Sequence, residues 1–284
     1  MYLPFVEEPR MVAMGLRPLK PSQWIEPDHE WSEFHEHKRN CFASLPERCL
    51  LTLDGSQFAQ EELRERLHSH LLADHPSVFS EGNGEILHRA SSTTTPSSSH
   101  PPIKEAALWI QDDLCILEDT PSGYLLTAAA LCSPSFWHLE EKIGKPLDEI
   151  HLPVPGYQPG IAQAPNRFFE KLVQGKPFWR LNWSVVANRQ LMQRLDQPAT
   201  EPAEEGPLWL RVERQTLTRL PKTKAICFTI RIHRYSLEEV LSDPKVASSF
   251  DAAIKQLSPE ELTYKSLSRV KDRLNSLGHP LSPS

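Results

Sequence analysis

Alternating and apolar-rich runs stand out at 107–118, 124–132, 178–187, 207–219 and 225–235, where leucine, β-branched and aromatic residues dominate. Each predicts a β-strand. Between the second and third runs, "PSFWHLEEKIG" and "APNRFFEKLVQG" each open near a proline and close on a glycine, the grammar of a short helix. Two strands, short helices and three further strands predict one antiparallel sheet with short helices on one face, an α+β fold. Upstream, "EWSEFHEHKRNCFASL" and "SQFAQEELRERLHSHLLADHP" read as helices. In the second, Ser56 is the expected N-cap and Phe58, Leu63, Leu67 and Leu71 the expected apolar stripe. Downstream, 244–256 and 258–276 read as amphipathic helices, with Ser258 and Glu261 spaced as a capping box.

Twenty-six prolines against eleven glycines favour turns and short elements. The stretch 91–102, "SSTTTPSSSHPP", has almost nothing apolar to bury and reads as flexible. The expected organisation is a mostly helical N-terminal region over 1–90, a disordered Ser/Thr/Pro linker over 91–104, a sheet domain over 105–240 and a helical region over 241–284.

Composition narrows the function classes. The 31 basic and 37 acidic residues give a net charge of -6, which offers no general attraction for nucleic acid or anionic lipid. No apolar run approaches a membrane span, and "MYLPFVEEPR" lacks the basic flank and apolar stretch of an export signal. The expectation is a cytoplasmic protein with neither a membrane nor a nucleic-acid partner. Cys41, Cys49, Cys115, Cys132 and Cys227 include no CxxC or other close spacing. They read as reduced, packed thiols, with no zinc ribbon or iron–sulfur cluster in view.

Polar side chains inside the strands are the first candidates for chemistry. Along "PLWLRVERQTLTRL", Leu208, Leu210, Val212, Arg214 and Thr216 share one face, and Trp209, Arg211, Glu213 and Gln215 the other. Arg214 continues an apolar row and must find an anion, either an internal partner such as Glu213 or Asp112 or a ligand carboxylate. In "KPFWRLNWSVV", Trp179, Leu181, Trp183 and Val185 form the core row, while Arg180 and Asn182 line a polar cavity or face water. His233, near the end of the last run, reads as a surface residue.

The other candidates are histidines. His35 and His37, two apart on a helix, do not share a face and make a poor metal pair. His138 and His151 lie closest to the sheet and its short helices. In "IHLPVPGY", His151 precedes Pro153 and Pro155, which stiffen the backbone, and Gly156, which permits a turn. Such a frame suits a single aimed imidazole, as haem iron requires, and equally a ring bonded to a carbonyl beside a proline-rich loop.

Taken together, "QDDLCILED", "CSPSFWHLEEKIGKPLDEIHLPVPGY", "NRFFEKL", "FWRLNWSVV" and "LWLRVERQTLTRLPKTKAICFTIRIHRY" resemble the alpha subunit of haem-dependent oxidative N-demethylase. The likeness is close over 105–240 and looser around "MGLRPL" and "WIEPD". It implies a PAS-type fold holding haem b and an oxidoreductase that uses NADPH and O2 to turn dimethylamine into methylamine and formaldehyde. It also implies partner subunits carrying flavin (FMN), a 2Fe–2S iron–sulfur centre and tetrahydrofolate, hence a separate reductase. Through the "IHxPVPxY" match it implies His151 as the iron ligand. Arg180 and Arg214 are the candidates for the haem propionates, since guanidinium forks match carboxylates. Glu213 either polarises the distal side or pairs with an arginine. The strings do not identify the amine-binding residues, and His138 remains a rival to His151. A haem-based gas or redox sensor and a haem-free interaction domain are the competing readings.

Overall fold

A computed structural model describes residues 1–7, 15–82, 85–95, 101–152, 155, 163–194, 196 and 206–281. The chain begins with α1 (Pro4–Glu7), β1 (Arg17–Pro18), α2 (Trp31–Ser44), α3 (Pro46–Cys49), β2 (Leu50–Thr52) and α4 (Gln57–Asp74). A small sheet of β3 (Phe79–Gly82), β4 (Glu85–His88) and β5 (Thr93–Thr95) leads into α5 (Pro102–Trp109). Then come β6 (Asp113–Thr120), β7 (Gly123–Ala130), α6 (Leu147–His151), α7 (Gln163–Lys171), β8 (Phe178–Val186), β9 (Trp209–Arg219) and β10 (Ile226–Ser236). The helices α8 (Leu237–Leu241), α9 (Pro244–Lys255), α10 (Pro259–Tyr264) and α11 (Lys271–Ser276) end the described chain.

All five strand runs become the long strands of one sheet, in the order β1-β8-β9-β10-β6-β7-β2, with every neighbouring pair antiparallel. Closing β10 against β6 puts the last strand of the second group beside the first strand of the first, so α6 and α7 form the crossover between the groups.

Both faces of this sheet are covered. On one, Cys115, Leu117, Ile230 and Ile232 meet Leu139, Leu147, Phe169 and Leu172 from the short helical segments. On the other, Leu114, Ile116 and Cys227 meet Leu63, Leu67, Ile103 and Ala106 of α4 and α5, while Trp183, Leu210 and Val212 meet Phe5, Phe250 and Ile254. The N-terminal helices therefore share one apolar cluster with β6 and β7. Two-sided burial explains why β9 is buried at nearly every position, whatever the polarity of its residues.

Several local expectations need correction. Trp109 ends α5, so the strand begins only at Asp113 and 107–109 is helix. Strand β5 and helix α5 occupy both ends of the stretch read as a disordered linker; 96–100 lie outside the described residues. Ser56 takes the N-cap position of α4, as expected, but its side chain makes no capping bond: the hydroxyl donates to the Leu53 carbonyl at 2.7 Å and accepts from the Gln60 side-chain amide at 2.8 Å. Phe58 is 76% exposed, and Ala59 takes its place beside Leu63 in the core. "PSFWHLEEKIG" forms only a 3-10 turn at Leu139–Glu141, preceded by Phe136 at φ 59°, a left-handed conformation that breaks a helical run. The Ser258–Glu261 capping box is present in both of its hydrogen bonds.

Candidate functional site

The sheet face beneath α6 and α7 carries a polar row in an otherwise apolar setting. Arg180 Nε donates to Gln215 Oε1 at 2.8 Å, and Gln215 Nε2 donates to Glu213 Oε2 at 2.7 Å. Asn182 Nδ2 donates to the same oxygen at 3.3 Å, and Lys265 Nζ donates to Asn182 Oδ1 at 2.8 Å. Phe228, Ile230 and Ile232 of β10 lie on this face alongside Phe168 of α7. Phe228 is only half-buried although its strand is interior to the sheet, so the helices do not seal the face. Burial, with the nearby Arg180 charge, brings the Lys265 ammonium down to about 8. Sequence reasoning missed Lys265, which sits inside a segment legible only as an amphipathic helix.

His151 ends α6, half-buried, and its Nδ1 lies 2.8 Å from the Leu147 carbonyl one turn earlier. A carbonyl can only accept, so Nδ1 carries the proton and the neutral ring has its lone pair on Nε2. Burial holds the imidazole below its ordinary pKa; the Leu147 bond opposes this and the Arg180 charge reinforces it. The neutral ligand form is therefore favoured at pH 7. His138 has the opposite arrangement. Its Nδ1 is 3.2 Å from Arg194 Nη2, a guanidinium that can only donate, which puts the ring proton on Nε2. Of the bend after His151, Pro153, Val154, Gly156 and Tyr157 lie outside the described residues.

The nominated arginines separate. Arg180 shares the face of His151, but Arg214 does not: it points to the opposite side, where Glu26 Oε2 lies 3.2 Å from Nε and the carbonyls of Trp24 and Gln23 accept at 3.2 and 2.6 Å. Its side chain is 1% exposed and held on that side by Glu26 and two carbonyls, so Arg214 does not reach the face that carries Arg180. The acid it contacts belongs to the "WIEPD" string, while the Arg214 charge also acts on Asp112, opposing the effect of burial on that carboxyl. The neighbouring Asp28 holds Arg231 at 2.8 Å in the same way. Glu213 is bonded to two neutral amides rather than to an arginine. His233 is not a surface residue: it is half-buried against Tyr2, with ring centroids 5.0 Å apart, and burial lowers its pKa to about 3.

Two further arginines give the recognisable strings a structural reason. Arg211 is fully buried and donates to Ser135 Oγ and to the carbonyls of Ser133, Pro134, Gln190 and Leu191, pinning "CSPS" to β9. Arg219 donates to the carbonyls of Phe169 and Leu172 and to the Tyr124 hydroxyl, fastening the C-terminal end of α7 to the sheet. The strings thus frame the polar face as well as line it.

The family model described as haem-dependent oxidative N-demethylase, alpha subunit-like, matches residues 15–275. The chain belongs to this family. For this N-demethylase alpha subunit-like chain the match is wider than the 105–240 likeness, taking in the helices that cover the far side of the sheet. The family's name carries haem dependence and a place as one subunit of a larger enzyme. A haem requires a lone-pair donor for iron, apolar walls for the porphyrin and cations for its carboxylates. A neutral His151, an apolar β10 row with Phe168, and Arg180, near enough for its charge to act on His151, are the residue types such a cofactor needs, so the residues fit the cofactor. Among the described residues, no helix is long and apolar enough to cross a membrane.

Proposed function

We propose that this chain is the haem b-binding, oxygen-activating subunit of an oxidative amine N-demethylase, with a PAS-type core and His151 as the iron ligand through Nε2. The observation that carries this reading is the His151 ring itself, its Nδ1–H committed to the Leu147 carbonyl beside Arg180. The order β8-β9-β10-β6-β7, with the helical crossover between β7 and β8, supports the PAS-type assignment.

Bound haem supplies the oxygen and one-electron chemistry. The chain's own groups bind and orient. Arg180, steadied by Gln215, pairs with a propionate. Phe228 and Ile230 exclude water from the porphyrin face. Glu213, whose Oε2 is already engaged by Asn182 and Gln215, presents its other oxygen to the N–H of an alkylammonium substrate. Neither a GxGxxG nucleotide motif nor an iron–sulfur cysteine set is written in the sequence, so electrons from NADPH come through a reductase subunit carrying flavin and an iron–sulfur centre.

Haem-loaded protein supplied with an artificial reductant and dimethylamine should consume O2 in proportion to amine and release formaldehyde. Glu213→Gln should raise KM for the amine at least about tenfold, the worth of one charge-assisted contact, while leaving the haem spectrum unchanged. Haem binding without amine-dependent O2 uptake would instead identify a sensor.

A further inference from the structure

On the far side of the sheet, α2, the end of α3 and the residue two past β7 bring Cys41, Cys49 and Cys132 together. Their sulfurs lie within 4.8 Å of one another, and all three side chains are buried. Sequence spacing hid this, because 7 and 82 residues separate them.

A buried thiol alone is ordinary packing, as at Cys115 and Cys227. This trio has company that packing does not require. His37, one turn before Cys41, sets Nε2 3.5 Å from Cys41 Sγ and 2.7 Å from the Cys132 carbonyl. Asp113 accepts the backbone N–H groups of Cys132 and Ser133 at 3.0 and 2.7 Å. The buried Lys38 ammonium stands 4.0 Å from that carboxylate and is itself held by the carbonyls of Ala107, Ile110 and Asp112. The backbone of Cys132 is thereby fixed as outer-shell groups fix a metal ligand.

We propose that Cys41, Cys49 and Cys132 form a mononuclear zinc site that staples α2 and α3 to the sheet, with His37 placed to be the fourth ligand on releasing the Cys132 carbonyl.

Tetrahedral zinc, with Zn–S about 2.3 Å and Zn–N about 2.0–2.1 Å, needs ligand edges of about 3.8 Å between sulfurs and about 3.6 Å from nitrogen to sulfur. The His37–Cys41 edge is already of that length and the sulfurs lie within 4.8 Å of one another, while the His37 ring, not yet that near all three, has to swing from the Cys132 carbonyl to complete the set. Thiols bound to different irons of a cluster stand farther apart, which favours a single ion. Binding converts three thiols to thiolates and releases three protons. The complex then carries one net negative charge, beside a Lys38 ammonium that Asp113 also faces.

The test uses the full chain in reducing, zinc-free buffer after purification without a metal-affinity tag. Elemental analysis should find about one zinc ion per chain, and an organomercurial that caps thiols should release it in full. Cys132→Ser should retain less than about a tenth of the metal, whereas Cys115→Ser should keep all of it. Because Cys132→Ser also puts a hydroxyl into the core and risks misfolding, the wild type is melted with and without a strong zinc chelator. Loss of the staple should lower Tm by several degrees. A wild-type chain that holds no zinc, takes none up when it is added, and melts at one temperature in both conditions would overturn the proposal. Neither readout involves iron, so the result is independent of the haem assignment.

Discussion

At His151 and His138 the same side chain is committed in opposite senses. One ring donates to a carbonyl, the other accepts from a guanidinium, and only the first keeps its lone pair on Nε2. Buried neutral histidines also carry a pH signature. His70 and His233 are lowered by burial to about 4 and about 3. Their unfolded forms take up protons near pH 6.5 while the folded forms do not, so stability should fall as pH drops below about 6.5, the loss levelling off only near pH 3. Chemical denaturation from pH 8 to 4 checks this; a stability flat or rising toward acid would refute it. The two arginines should also respond differently. Arg214→Leu strands Glu26 and two carbonyls and should cost about 2–4 kcal/mol, below the full value for a buried pair because the Glu26 side chain is 34% exposed. Arg180→Gln should change stability little but weaken haem retention. Urea unfolding and haem transfer to apomyoglobin measure the two effects.

Among the elements, the five long strands were legible because leucine, β-branched and aromatic residues crowd each of them, with a period of two visible along β8, β9 and β10. The edge strands β1 and β2 were not, being two and three residues that exist only by pairing with β8 and β7. Parity along β9 was read correctly, and Arg214 does find an internal acid, but it is Glu26, which parity could not name. Alternation tells which side chains share a face but not which of two buried faces holds a ligand. The acids that claim Arg214 and Arg231, Glu26 and Asp28, lie 188 and 203 residues away in sequence, beyond any local signal. Capping chemistry, being local, was legible at α10. Ser258→Ala should therefore cost about 1 kcal/mol in thermal or denaturant unfolding, with Ser258→Gly milder.

For the molecule as a whole, the terminal helices and the short crossover helices divide the labour. The former cover one side of the sheet and bury Phe250 and Leu67; the latter leave Phe228 half-buried on the other. The face proposed for haem was legible only through resemblance, because a lone histidine before prolines does not by itself announce a cofactor. The visible spectrum of the haem-loaded protein tests that central assignment most directly. Wild type and His138→Ala should share one Soret band of a histidine-ligated haem, while His151→Ala should show a displaced band and faster haem loss. A His151→Ala protein with the wild-type spectrum and full haem retention would contradict the account.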